Sequence, residues 1–256
     1  MAGLCARSVG VLPEVAAGDD LALLISAALG EEAARDDHVL AIAHKVVSKA
    51  EGAVVSLADV VPSARARELA AALEHEGPTK DPRAIQVVLD ESAHVLRAER
   101  GVLIGRTRHG FVCANAGVDA SNAPVGETVV VLPRDPDASA RRIRARLREL
   151  TGRAPAVLIS DSFGRPWRHG QVDVAIGLAG LQPLDDWRGR RDARGLELSA
   201  TWLAVSDAAA AAAELARAKD SREPVVVLEG LERYVTSADG PGAAALLRPS
   251  AEDLFA

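Results

Sequence analysis

The stretch that most constrains the fold is APAVLISDSFGRPWRHGQVDVAIGLAGL, residues 154–181, where two apolar runs flank a dense block of polar chemistry. Val157, Leu158 and Ile159 lead to Asp161, and Val172, Val174 and Ile176 alternate with polar or small residues. A short apolar run followed by period-two alternation predicts two strands joined by a turn. Gly164, Pro166 and Gly170 suffice for the turn. Asp161, Arg165, Trp167, Arg168, His169 and Gln171 are more than a turn requires. A carboxylate ending a buried strand costs free energy unless it is paired or binds a cation. Binding groups concentrate in loops at strand ends, so this segment is the first candidate for a site.

Such strands need a core, and composition says what it is made of. The 256 residues suffice for one large domain or two small ones. Aromatics make up 3% of a chain that is 48% hydrophobic, so the core must be built from Ala, Val and Leu. The formal net charge of -6 argues against a nucleic-acid or anionic-membrane partner, which requires a basic field. Cys5 and Cys113 lie too far apart in sequence to suggest a disulfide framework or a Cys-based metal site, and Cys113 in GFVCANAG reads as a small buried hydrophobe. No signal-peptide pattern opens the chain and no run approaches about 18 apolar residues, so a cytoplasmic location is expected.

Along the chain, GDDLALLISAAL places Leu21, Leu24, Ile25, Ala28 and Leu29 at helical spacing behind a cap at Asp19 or Asp20. HVLAIAHKVV reads as a strand, SARARELAAALEHEG as a helix closing at Gly77, and DPRAIQVVLDESAHVLR as a helix opened by Pro82. GVLIGR, GFVCANAG and ETVVVLP read as strands. DPDASARRIRARLREL is a helix capped near Asp137, with Ile143, Leu147 and Leu150 inward and Arg141, Arg142, Arg144, Arg146 and Arg148 on a solvated face. An Ala-rich helix and the strand EPVVVLEGL follow. Helices and strands mix without strict alternation, so the fold class expected is α+β.

Neither G-x-x-x-x-G-K-[ST] nor a strand-linked G-x-G-x-x-G occurs. Lys45 and Lys49 lie one helical turn or two pleats apart, either as a weak phosphate site or as two surface lysines. ANAGVDASNAP gathers Asn115, Asp119, Ser121 and Asn122 after a strand, a donor set for a hard cation or the makings of an Asx-turn.

Five ordered segments carry a resemblance. LPEV at 12–15, KVVSKAEG at 45–52, AGVDASN at 116–122, DSFGRPWRHGQVDVAIGLAG at 161–180 and RDARGLEL at 191–198 are together similar to the coenzyme F420:L-glutamate ligase family, over nearly the whole chain. The resemblance implies a single ligase unit of two intertwined α+β subdomains, with mixed, largely antiparallel sheets and flanking helices, acting as a homodimer. The flavin-dependent reductase domain that follows in some members is not expected within residues 1–256. The implied reaction uses GTP as cosubstrate and Mg²⁺ or Mn²⁺, with K⁺ as a further cation, to join L-glutamate to a deazaflavin coenzyme precursor through an acyl phosphate and then to extend it by γ-linkage.

Carried over residue by residue, Asp119 and Asp161 match catalytic metal ligands, and Ser162 stands where a ligating Thr is common. Leu12, Pro13, Glu14, Val15, Lys49 and Asn122 match nucleotide-binding positions, and the segment from Lys219 to Val225 lies near another nucleotide-contacting stretch. His44 replaces a nucleotide-touching Ser and brings a side chain able to change charge near neutrality. Ala208 after Asp207 replaces a second acid. Arg165, Arg168 and Gln171 are candidate phosphate or substrate contacts on charge and position beside Asp161, with Arg188, Arg190 and Arg191 behind them. Trp167 reads as a packed aromatic, with a stacking platform for the deazaflavin as the alternative. The rival functions are a metal-dependent phosphohydrolase using the same acids and a nucleotide-binding module without ligase activity.

Overall fold

The computed structural model describes residues 3–30, 34–74, 80–121, 123 and 127–252. In chain order the elements are β1 (Cys5–Ser8), α1 (Leu21–Leu29), β2 (Val39–Ala43), α2 (His44–Ala50), β3 (Val54–Ser56), α3 (Ala64–Glu74) and α4 (Pro82–Glu91). There follow β4 (Ser92–Glu99), β5 (Val102–Thr107), β6 (Val112–Ala114), β7 (Thr128–Val130), α5 (Pro136–Thr151), β8 (Ala156–Arg165) and β9 (Arg168–Ala179). The last are β10 (Leu184–Asp186), β11 (Trp202–Ala204), α6 (Val205–Glu214) and β12 (Val225–Glu229).

The apolar runs converge on one five-stranded sheet in the order β1-β12-β2-β8-β9. Only β2 and β8 pair in parallel; the other neighbours are antiparallel. The pleat sends Leu40 and Ile42 of β2 and Val225 and Val227 of β12 into one core with α1 and α5, and Val39, Ala41, Val226 and Leu228 into the other with α6. A strand buried on both faces reads as a continuous apolar run, which explains VLAIA and VVVL. Ala209, Ala210 and Ala213 of α6 are buried against the sheet, the close packing an Ala-rich, aromatic-poor chain allows.

Between β2 and β8, the segment from α3 to β7 builds a third core from Leu69, Leu73, Ile85, Val88 and Leu103. It carries the β4-β5-β6 meander, and its β7 pairs with β3. The α+β class holds. No helix among the described residues is long and apolar enough to cross a membrane. Cys113 is buried as expected, and burial pushes its thiol up to about 12.

Several local expectations are corrected. The run HVLAIAHKVV leaves the sheet at Ala43 and turns into α2, whose helical spacing buries His44, Val47 and Ser48. The helix opened by Pro82 ends at Glu91, because Ser92–Glu99 pairs with β5 and tertiary pairing overrides propensity. The α5 cap is Asp135, which accepts from Ala138 N–H at 2.9 Å, while Asp137 Oδ1 instead accepts from Leu178 and Ala243 N–H groups, each at 2.8 Å. The expected helix close at Gly77 lies outside the described residues.

Arg144 leaves the solvated face of its helix. It is buried and donates to the carbonyl oxygens of Ala154, Pro155, Thr236 and Ser237 and to Asp239 Oδ1, stapling the loop before β8 to the C-terminal segment. Trp167 is exposed rather than buried, at 82% on the β8–β9 turn, with φ at 59°, a position type II turns usually give to Gly.

Candidate active site

A cavity of about 970 Å³ opens where β2 hands over to α2. Its lining comes from the loop 12–17, α2 with Gly52 and Val54 beyond it, the residues Asp119, Ser121 and Ala123, the paired strands β8 and β9, and the stretch from Glu214 at the end of α6 to Pro224. Leu12, Pro13, Glu14, Val15, His44, Lys49, Asp119, Asp161, Ser162, Gln171 and Lys219 all face it. The fold thus brings together residues as far apart in the chain as Leu12 and Lys219. Asn122 lies outside the described residues.

The helical turn between Lys45 and Lys49 aims both amines at the cavity. Lys45 Nζ lies 2.7 Å from Asp119 Oδ2 and donates to Ser121 Oγ at 2.6 Å. Lys49 Nζ donates to Glu14 Oε1 at 2.6 Å, and Arg222 approaches the other Glu14 oxygen at 3.6 Å. Asp119 also accepts from Ser121 N–H at 2.6 Å, the Asx-turn read from the sequence. Burial pushes the Asp119 carboxyl up, but the hydrogen bonds from Lys45 and Ser121 outweigh it and hold it below the usual carboxylate range. The Lys49 hydrogen bond likewise lowers Glu14.

The sheet supplies the opposite wall. Asp161 stands mid-strand on β8, where its Oδ1 accepts from Ser162 N–H at 2.8 Å and faces His44 Nε2 at 3.2 Å. Next to it lies a residue the sequence reading passed over. Asp173, on β9 opposite Ser162, is 2% exposed. Its Oδ1 accepts from Ser162 Oγ at 2.6 Å, and its Oδ2 accepts from Ser160 Oγ at 2.9 Å and Arg217 Nη2 at 2.5 Å. Burial raises its carboxyl, yet Ser162, Arg217 and Ser160 together bring it below the ordinary value. Glu214 completes the cluster, accepting from Asp173 N–H at 2.9 Å and pairing with Lys219 at 2.9 Å, while Lys219 donates to Ser162 Oγ at 2.5 Å. A lone acid inside VDVAIGLA was the available signal; Glu214 and Arg217 gave none, because only the packing of α6 brings them here.

Arg165 and Arg168 lie outside the cavity lining, on the exposed hairpin end, where Arg165 donates to the His169 carbonyl at 2.6 Å. Arg188 and Arg190 pair with Asp186 and Asp185 and lie over the Trp202 and Trp187 rings, and Arg191 donates to the Gly195 carbonyl. Asp207 Oδ1 accepts from Ala175 N–H at 3.0 Å and serves the sheet.

Three residues carry oxygens of the kind a hard divalent cation takes. Asp119, Asp161 and Ser162 offer oxygens to one cavity, while no group of three or more His, Cys, Asp or Glu side chains forms a cage among the described residues. Mg²⁺ is commonly held by one or two carboxylates, with substrate phosphates and water filling the other positions.

Sequence comparison agrees in extent with this layout. Residues 10–230 match the family described as F420-0:Gamma-glutamyl ligase. The chain is 44% identical over 256 residues to the coenzyme F420:L-glutamate ligase of Methanothermobacter thermautotrophicus, covering 99% of each chain. It is 46% identical over 260 residues to the one from Methanopyrus kandleri, covering 100% of both, and 40% identical over 221 residues to that of Methanocaldococcus jannaschii, covering 86% of this chain and 85% of the other. The chain belongs to the F420-0:Gamma-glutamyl ligase family.

Proposed function

We propose that this chain joins L-glutamate to the precursor of coenzyme F420 in a reaction driven by GTP. A precursor carboxylate attacks the γ-phosphorus of GTP, forming an acyl phosphate and GDP. The glutamate amine then attacks the acyl carbon, the C–N bond forms as the C–O bond to phosphate breaks, and phosphate leaves while the amine gives up a proton.

The observation that carries this reading is a single cavity, in a member of this family, that combines Lys45, Lys49, Arg217 and Lys219 with the carboxylates of Asp119, Asp161 and Asp173. The substrates are all anions, and cationic side chains offset their mutual repulsion. Lys45 and Lys49 arrive already paired with Asp119 and Glu14, so an incoming phosphate exchanges with a carboxylate for each amine. Asp119, Asp161 and Ser162 would hold Mg²⁺ or Mn²⁺, with K⁺ as a further cation. A divalent ion there supplies charge to the phosphate oxygens as the phosphoryl group moves. Leu12–Val15, Asn122 and His44 border the nucleotide in this reading, and Arg165 and Arg168 act as outer anion contacts from the hairpin end. The unit works as a homodimer, for which light scattering at micromolar concentration is the check; a monomer mass would count against assembly.

Phosphate release with GTP, Mn²⁺, precursor and L-glutamate tests the reaction. Release that requires glutamate is expected. Release without glutamate would mark a phosphohydrolase, no release a binding module, and equal turnover with ATP would remove the selectivity for GTP.

A further inference from the structure

We infer that His44 supplies a nitrogen ligand to the cation held at Asp161, so that the metal site of this chain mixes imidazole with carboxylate. The inference rests on the cation site of the ligase reading and concerns its Asp161 side: among the described residues His44, Asp161 and Asp119 do not close a three-residue cage, so water and phosphate would fill the other positions. His44 is 2% exposed and lines the cavity at the first turn of α2. Its Nε2 lies 3.2 Å from Asp161 Oδ1, yet it makes no hydrogen bond among the described residues: the two atoms are close but misaligned. A buried polar atom left without a partner carries a desolvation cost that a bound group offsets.

The other ring nitrogen has a partner. Nδ1 lies 3.4 Å from Ser48 Oγ, one helical turn along, and Ser48 is wholly buried. A proton on Nδ1 directed at that hydroxyl leaves the Nε2 lone pair facing Asp161. Ligating histidines are oriented in this way by the hydrogen bond of their second nitrogen. Asp161 is fixed in turn by the Ser162 N–H at 2.8 Å on the same Oδ1.

The spacing is that of two ligands on one ion. Donors bound at about 2.1 Å and about 90° apart stand about 3.0 Å from each other. The observed separation is 3.2 Å. Misalignment belongs to the same picture, since two lone pairs that share a third point do not aim at one another. An all-oxygen site suits Mg²⁺, whereas an imidazole moves the preference toward Mn²⁺, Co²⁺ and Zn²⁺.

Mn²⁺ alone is the probe, read by pulsed electron paramagnetic resonance, in which a directly bound nitrogen modulates the electron spin echo. The wild-type protein loaded with Mn²⁺ is expected to show this modulation. His44→Ser should lose it and bind Mn²⁺ about tenfold more weakly, with Mg²⁺ affinity changed less than about threefold. Ser48→Ala keeps the ring but frees Nδ1, so the modulation should persist while Mn²⁺ affinity falls about tenfold. No nitrogen modulation in the wild type, a modulation that survives in His44→Ser, or no Mn²⁺ bound at all would overturn the inference. Neither GTP nor glutamate enters the measurement. A nitrogen signal lost in His44→Ser, from a protein that makes no glutamyl product, would therefore retire the ligase reading and keep the ligand; product without the signal would do the reverse.

Discussion

The cavity has two unlike walls. On the sheet wall, Asp173 is nearly inaccessible, and Ser160, Ser162 and Arg217 converge on its two oxygens. On the loop wall, the Glu14 side chain is 62% exposed and that of Asp119 42%, and each reaches across to a lysine of α2. Strand pairing and the pleat fix Ser160, Ser162 and Asp173, and the packing of α6 brings Arg217 to them, before any ligand arrives. The second set is held by charge, and exposed ion pairs contribute little to stability. The difference teaches a division of labour: groups that must be in place as bonds change belong on the rigid wall, where preorganisation has its largest effect. Anions that must enter and leave suit the loop wall, where a carboxylate can be exchanged for a phosphate.

The largest effect should follow from breaking the rigid wall. Asp173→Ala takes the acid partner from Arg217, whose side chain is 10% exposed and keeps Ser160 Oγ and the Pro224 carbonyl, a loss of about 3 kcal/mol in urea unfolding; stability equal to wild type would erase the contrast between the walls. The acid limb sharpens it. The folded pKa of Asp173 is held below its unfolded value, so its contribution is present above about pH 4 and is lost as pH falls through the lower folded value. Asp173→Asn should flatten that limb.

The two acids that would hold the proposed cation come one from each wall, Asp119 from the loop side and Asp161 from the sheet. Asp161→Asn and Asp119→Asn should each lower kcat roughly 10²-fold with the fold intact, and the double variant should lose less than the product of the two. Metal titration decides each position: near-wild-type turnover with unchanged metal dependence would remove that residue from the ligand set.

On the loop wall, Lys49→Met should raise the KM for GTP about tenfold with kcat within about threefold, the pattern of lost ground-state binding. A fall in kcat with KM unchanged would move Lys49 to the catalytic side of the division. The smallest effect concerns Asp207 of α6, which meets the same face of the sheet as Asp173 but has no cation paired with it among the described residues. Burial raises its carboxyl despite the Ala175 N–H, so the folded state binds its proton more tightly and stability declines as pH rises through the unfolded value toward the folded one. Asp207→Asn keeps the acceptor and removes the charge, and should raise the melting temperature by about 2–4 °C at pH 7. A lower melting temperature would mean that the charge itself serves the sheet.

The same division governed what the sequence made legible. The strands were readable because residues buried on both faces must be apolar, and Asp161 stood out because acid at such a run demands a reason. Asp173 escaped because a polar residue between Val172 and Val174 looks like ordinary alternation, and only pairing with Ser162 turns it inward. The turn from β2 into α2 was masked by Val46 and Val47, β-branched residues that read as strand until the helix places Val47 in the core. Arg144 and Trp167 were misplaced for opposite reasons. A guanidinium can be buried where several carbonyls converge, and a large aromatic can be exposed at a tight turn.

The central claim is that this cavity makes an amide bond rather than merely splitting GTP. Mass spectrometry of the coenzyme precursor after incubation with the protein, GTP, Mn²⁺ and L-glutamate tests it most directly. The account predicts a product heavier by whole glutamyl residues, with one GDP and one phosphate formed for each residue added. An unchanged precursor beside consumed GTP would contradict it.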